Sequence, residues 1–274
     1  MYQVASISVV IPCYCCSDVL VRAVESVFSQ TLLPAEIILV DDASPDNEKT
    51  KLCIKKIASD FANTYPIEIR TIFLNNNQGP GCARNAGWDI ADNDFIAFLD
   101  ADDTWHPKKL EIQVNWMSTN PKYVLTCHNS ILFAQNRDLV LHLDSVPIVC
   151  LSLLGLLFRN SIATRSVVIR RDIEHRFPIG IRYAEDYYLW LKILSTGGKA
   201  IRLSLDLAYH YRNEFGLGGV SADLRAMHLG ALNCINEIYR DRKTNYVIWF
   251  LAIYVEKIKY VKRKVITLIR YLMR

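Results

Sequence analysis

Continuous apolar runs of strand length alternate with helix-length segments through the first hundred residues, and few folds accept that rhythm. Residues 7–14 (ISVVIPCY) read as a strand, and 18–30 as an amphipathic helix with Ser17 as its N-cap. A second strand at 35–44 (AEIILVDDAS), a polar-faced helix at 46–63, a third strand at 67–75 (IEIRTIFLN), a helix near 82–91 and a fourth strand at 94–100 (DFIAFLD) follow. Strands apolar at every position must be covered on both faces. The predicted class is therefore α/β, a Rossmann-like, mostly parallel sheet flanked by helices. Ligands of such sheets collect beyond the carboxyl ends of the strands, and two acidic clusters, Asp41-Asp42 and Asp100-Asp102-Asp103, fall there.

The second half is less regular. Residues 166–171 read as a strand, 184–197 as a helix closed by Gly197 and Gly198, and 199–212 as one or two strands. A glycine-rich stretch at 216–221 (GLGGVS) then leads into mostly helical sequence, which divides the chain into an α/β domain, 1–215, and a helical extension, 216–274. A length of 274 residues suits one well-cored domain with an appendage.

Each chemical candidate has a structural alternative. Three aspartates within residues 100–103 (DADD) suit a hard divalent cation that also binds phosphates; alternatively, Asp102 or Asp103 caps a helix starting near His106-Pro107. The loop 75–87 (NNNQGPGCARNAG) carries Gly79 and Gly81 but has Arg84 where a dinucleotide fingerprint needs its third glycine, which excludes a dehydrogenase. Arg84 would meet either a phosphate or a carboxylate. Glu185 and Asp186 begin an apolar helix, where they complement its N-terminus or supply a general base. The eight cysteines lack a disulfide or zinc spacing, which reads as free thiols in a reducing compartment. The N-terminal apolar run has no basic region before it and does not read as a signal peptide.

The ordered motifs VVIPCY, ILVDDASPDN, NQGPGCARNAG, FLDADD and YAEDYYLWLKI resemble family 2 glycosyltransferases of the GT-A fold, over roughly residues 6–212. They are similar to the non-processive bacterial enzymes that build O-antigen and capsule repeat units. The resemblance implies inverting transfer of a sugar from a nucleotide-sugar, usually a UDP-sugar, to a hydroxyl of a glycan acceptor. By motif, Tyr14 and Asp42 would hold the base, Asp100 the ribose or a metal-bound water, and Asp102 a Mn²⁺ or Mg²⁺ ion that bridges the diphosphate. Asp103 would support that site. Asp186 would be the general base and Glu185 would position the acceptor, with Arg84 and Asn85 organising the loop under the donor.

Three positions depart from the family pattern. Cys15 stands where an Asn commonly follows the tyrosine, the QxxRW signature of processive synthases is absent, and Asn213, Glu214 and Phe215 follow Arg212 in place of a histidine. His210 could replace that histidine or simply pack in a strand. A metal-dependent nucleotidyltransferase would need a basic loop near the first strand, yet residues 12–21 contain no Lys or Arg. A non-catalytic nucleotide-sugar-binding module is opposed by the presence of both Asp102 and Asp186.

The charge is uneven. In residues 256–274 seven basic residues oppose Glu256 alone, giving +6, so the rest of a chain of net charge +4 sums to −2. That argues against a nucleic-acid partner and for a localised anionic one. The apolar run 246–255 is too short to span a bilayer. With the interleaved basic and apolar residues that follow, 246–274 reads as a helix lying on an anionic membrane surface or packed on the domain. A polyprenyl-diphosphate-linked acceptor, implied by the resemblance, would place the protein in the cytoplasm, peripheral on the inner face of the cell membrane.

Overall fold

The computed structural model describes residues 2–61, 64–133, 146–211 and 223–272. The first half runs β1 (Val4–Cys13), α1 (Leu20–Phe28), β2 (Leu33–Asp41), α2 (Lys49–Phe61), β3 (Glu68–Phe73), α3 (Pro80–Ile90) and β4 (Phe95–Phe98). Then come β5 (Thr104–Trp105), α4 (Lys109–Thr119), β6 (Leu125–Leu132), β7 (Ile148–Leu151), α5 (Leu153–Phe158), a 3-10 turn at Thr164–Ser166, β8 (Val168–Arg170), α6 (Glu185–Ser195) and β9 (Ala200–His210). Two helices close the chain, α7 (Leu224–Arg240) and α8 (Tyr246–Leu272). The motif GLGGVS and positions 212–215 lie outside the described residues.

The strands form one mixed sheet in the order β3-β2-β1-β4-β8-β6-β9-β5, with β7 also paired to β9. β1, β2, β3 and β4 pair in parallel, as the helical crossovers between them require. From β8 onward antiparallel pairs enter, and β6 with β9 adds another parallel one. Alternate residues of the central strands feed two cores. Val10, Ile38, Val40, Ile96 and Phe98 pack on one face with Trp88, Phe177 and Trp190; Val9, Ile11, Ile37, Leu39 and Ala97 pack on the other with Leu20, Val24 and Leu110. Gly87 sets how closely α3 lies on the sheet, because a Cβ there would stand 2.5 Å from Val10 Cγ1.

Two capping expectations fail. α1 begins at Leu20 with no side-chain cap, and Ser17 bonds the neighbouring Asp18 instead. The chain is held before the helix by the Cys16 amide, which donates to Thr50 Oγ1, so Ser17 sits too early to reach the first turn. Asp102 and Asp103 do not cap α4, because the short β5 carries the chain onto β9 before the helix starts. His106 Nδ1 takes the Lys108 amide there. The end of α6 follows expectation: Gly197, at φ 94°, and Gly198 donate to the carbonyls of Leu194 and Ile193. All eight thiols are free.

Helix α7 starts on Asp223, which accepts from the Ala226 amide, and packs on α6 and α8. α8 joins the apolar run and the basic segment into 27 helical residues. Ile248, Trp249, Ala252 and Ile253 face the core, and Trp249 Nε1 donates to Asn236 Oδ1 at 2.8 Å. The opposite face leaves Val247, Phe250, Leu251, Tyr254, Ile258, Val261, Val265 and Leu268 exposed, mostly at intervals of three or four residues. The helix thus packs on the domain and still presents an apolar stripe. Among the described residues no helix is long and apolar enough to cross a membrane.

Candidate active site

A cavity of about 950 Å³ opens at the carboxyl ends of β1, β2 and β4. Its walls include Tyr14, Asp42, Arg84, Asp100, Asp102, Asp103, Glu185 and Asp186, so every residue singled out in the two acidic clusters, except Asp41, reaches one space. His210 also lines it.

At the β1 end Tyr14 is 46% exposed and reaches out from the sheet. Cys15 follows at φ 47°, and its amide donates to Ser44 Oγ, which in turn donates to Asp41 Oδ1 at 2.6 Å. Asp41 therefore braces the turn after β2. The buried Asp42 fastens the loop before α3: Oδ1 accepts from the Gln78 amide and Oδ2 from the Gly79 amide, both at 2.8 Å. Burial raises its pKa, and the two amide donors and Arg182 oppose that rise. Gly79, at φ 91°, lets the backbone turn both amides toward one carboxylate.

Arg84 joins the acidic cluster after β4 to the carboxylates that open α6. Buried on α3, its guanidinium donates through Nη2 to Asp100 Oδ1 at 2.6 Å and through Nη1 to Glu185 Oε1 at 3.1 Å. Of its two sequence-level alternatives, the carboxylate is the partner it has. Burial alone would push Asp100 up; the Arg84 and Arg165 guanidiniums hold it below the usual carboxylate range. Glu185 is pushed up to about 7 by burial and by its neighbour Asp186, against the pull of Arg84. Asn85 is tied to the Phe177 backbone, donating to its carbonyl and accepting from its amide.

Asp103 turns inward and accepts from Arg165 Nη1 at 3.0 Å. Burial pushes it up to about 7, with Arg165 opposing and the Asp100 and Asp102 charges adding. Asp102, half-buried on the cavity wall, is fixed through its backbone: its carbonyl accepts from Arg22 Nη2 at 3.0 Å, and the Arg22 guanidinium lies 3.5 Å from the centre of the Tyr211 ring. Asp186, on the first turn of α6, accepts from the Tyr187 amide at 2.6 Å and from Thr164 Oγ1 at 3.4 Å. Burial raises its pKa as well.

No group of three or more His, Cys, Asp or Glu side chains among the described residues could cage a metal alone. The donor chemistry still fits Mg²⁺ or Mn²⁺, which take one or two carboxylates and complete their shell with water and substrate phosphate oxygens. Asp102, half-buried on the cavity wall, is one residue that could supply such an oxygen.

Four residues went unnoticed at the sequence level: Arg22, Thr164, Arg165 and Arg182, the last donating to Asn77 Oδ1 at 3.0 Å. Arg165 lies 62 positions from Asp103 and Arg22 lies 80 from Asp102. No local spacing reports such pairs.

Residues 8–164 match the family model described as Glycosyl transferase family 2. The chain is 33% identical over 221 residues to the UDP-Glc:alpha-D-GlcNAc-diphosphoundecaprenol beta-1,3-glucosyltransferase WfaP of Escherichia coli, covering 79% of this chain and 80% of that one. In structure it is similar to S. aureus TarS 1-349 in complex with UDP-GlcNAc, with a TM-score of 0.62 and 19% identity over 85% of this chain and 66% of that one. It is also similar to the mannosyltransferase PcManGT from Pyrobaculum calidifontis in complex with GDP-Man and Mn2+, with a TM-score of 0.67 and 17% identity over 93% and 70% of the two chains. The chain thus spans just under two thirds of the TarS chain. The fold is GT-A.

Proposed function

The chain belongs to glycosyl transferase family 2, and from that premise we propose that it transfers a sugar, with inversion, from a UDP-sugar to a hydroxyl of a polyprenyl-diphosphate-linked glycan acceptor in surface polysaccharide synthesis. The observation that carries the reading is the sharing of one cavity by Asp42, Asp102 and Asp186. The division into a GT-A domain, 1–215, and a helical extension, 216–274, is kept as part of it. WfaP, by its name, uses UDP-Glc and a diphosphoundecaprenol-linked acceptor.

In this reading Tyr14 and Asp42 face the base of the donor. Each Asp42 oxygen has one acceptor position engaged by a backbone amide, and a base N–H would take a second. Asp102 would hold Mg²⁺ or Mn²⁺ against the diphosphate. A divalent cation there offsets the negative charge that gathers on the departing nucleoside diphosphate. Asp186 takes the proton of the acceptor hydroxyl as its oxygen attacks the anomeric carbon from the side opposite the leaving group. Tyr187 N and Thr164 Oγ1 fix that carboxylate, and Glu185, clamped by Arg84, positions the acceptor. Arg84 and Asp100 form the rigid floor between the two tasks. The apolar stripe of α8, set among lysines and arginines, rests on an anionic leaflet on the cytoplasmic side and keeps the cavity beside a lipid-borne acceptor.

Calorimetry of UDP binding with Mn²⁺ and then with chelator, on wild type and Asp102→Ala, tests the donor half. Binding that needs both the ion and Asp102 supports the reading. A folded wild type that binds no uridine nucleotide under either condition rejects it.

A further inference from the structure

One arginine on the cavity wall has no task in the proposed chemistry. Arg202 lines the cavity from β9, where it pairs with Cys127 of β6 on one side and with Val149 of β7 on the other. Paired residues of a sheet point to the same face, and Cys127, like Ala200 two positions before Arg202, packs in the core that holds Leu189 and Trp190 of α6. Arg202 therefore stands on the face that carries α6 and Asp186. In the sheet order β9 lies three strand spacings from β4, about 14 Å, so this guanidinium belongs to a different part of the cavity from the donor diphosphate at the end of β4. Arg84, Arg165 and Arg182, on the same walls, each donate to a side-chain oxygen. Arg202 does not. It is half-buried, its Nε is buried without an acceptor, and among the described residues no carboxylate lies within ion-pair distance of it. Cys127 beside it supplies no counter-charge, because burial pushes that thiol up to about 12 even against the pull of Arg202. A partly desolvated guanidinium without a partner costs free energy that an arriving anion would recover.

We infer that Arg202 binds an oxyanion carried by the acceptor, a phosphate or a carboxylate, and so selects acidic acceptors for the transfer. With Nε enclosed, the two terminal nitrogens are what the side chain has left to offer, and their planar fork matches two oxygens of either group by charge-assisted hydrogen bonds. A neutral acceptor of the same shape would leave the guanidinium desolvated and unpaired, so the discrimination works against neutral compounds. The phosphate would come from the diphosphate that links a glycan to its lipid, the carboxylate from an acidic sugar. This deepens the proposed function and rests on its placing of the acceptor beside Asp186, but Arg202 is distinct from the residues assigned to the donor.

The test is calorimetric binding of two matched pairs of probes to wild type, Arg202→Gln and Arg202→Lys. One pair is methyl glucuronide against methyl glucoside; the other is a citronellyl diphosphate ester of N-acetylglucosamine against the citronellyl glycoside of the same sugar. Wild type is expected to bind the anionic member of at least one pair about tenfold more tightly than its neutral counterpart, the equivalent of one good ionic hydrogen bond. The pair that shows the preference tells a sugar carboxylate from a linking phosphate. Arg202→Gln is expected to bring the ratio within about twofold of unity, and Arg202→Lys, a point charge in place of the fork, to lower it about threefold. A ratio near unity in wild type for both pairs, or a preference that survives in Arg202→Gln, overturns the assignment; if that variant does not fold, an unchanged ratio in Arg202→Lys does so. UDP binding with Mn²⁺, measured on the same samples, reports the donor reading independently: its absence in wild type rejects that reading, and the probe ratios still decide the role of Arg202.

Discussion

The acidic cluster after β4 and the one at the start of α6 set carboxylates in different surroundings. In the first, Asp100 and Asp103 are each held by an arginine, Arg84 and Arg165, while Asp102 between them faces the cavity with its backbone fixed by Arg22. In the second, Glu185 is held by Arg84, and Asp186 is positioned by a backbone amide and a threonine hydroxyl. In both clusters an arginine holds an acid next to the one proposed to act on the substrates. The difference is in the surroundings. Near Asp102 stands Asp100, which Arg84 and Arg165 hold in its charged form; Asp186 sits where burial raises its proton affinity, which suits a base.

Separate chemical changes should therefore break the two clusters in separate ways. Asp186→Asn should lower the transfer rate by about 10²- to 10⁴-fold, the usual worth of a general base, with UDP affinity unchanged. Calorimetry and single-turnover transfer measure the two sides, and equal losses in both would erase the distinction drawn here. Arg84→Ala strips the partner from a buried acid in each cluster at once and should cost about 3–5 kcal/mol of stability, read from urea unfolding. Arg165→Gln should cost less, about 1–3 kcal/mol near pH 8, and less again at pH 6. Its orphan Asp103, already raised to about 7 with the arginine present, can take up a proton as the pH falls, so the deficit against wild type should grow with pH. A deficit that shrinks with rising pH would contradict that assignment. The smallest effect is on the acid limb of the rate profile: Asp186 must be ionised to accept a proton, so transfer should fall as pH drops through a value above the ordinary aspartate range.

How much of this was legible in the sequence follows from the range of the forces involved. The parallel half was readable because its central strands, buried on both faces, carry long apolar runs, as Val9 and Val10 or Ile37 and Ile38 show by entering opposite cores. The acids were readable because they terminate those strands. Ser17 misled because capping depends on where the chain is anchored, and Thr50, from another helix, anchors it. The antiparallel second half, Arg165 on its 3-10 turn and the Arg22 clamp depend on contacts between segments far apart in the chain, to which neither periodicity nor motif spacing is sensitive.

Arg84 has a consequence for how the cavity keeps its dimensions. Its planar fork touches a carboxylate from the end of β4 with one nitrogen and a carboxylate from the start of α6 with another. A lysine would reach one of them, and the two walls could then drift apart as α6 moves on the sheet. With the guanidinium in place the cavity has a built-in gauge. Widening it to admit a bulkier substrate requires moving a strand end and a helix together, so variation in substrate size has to come from the rims and loops rather than from this floor.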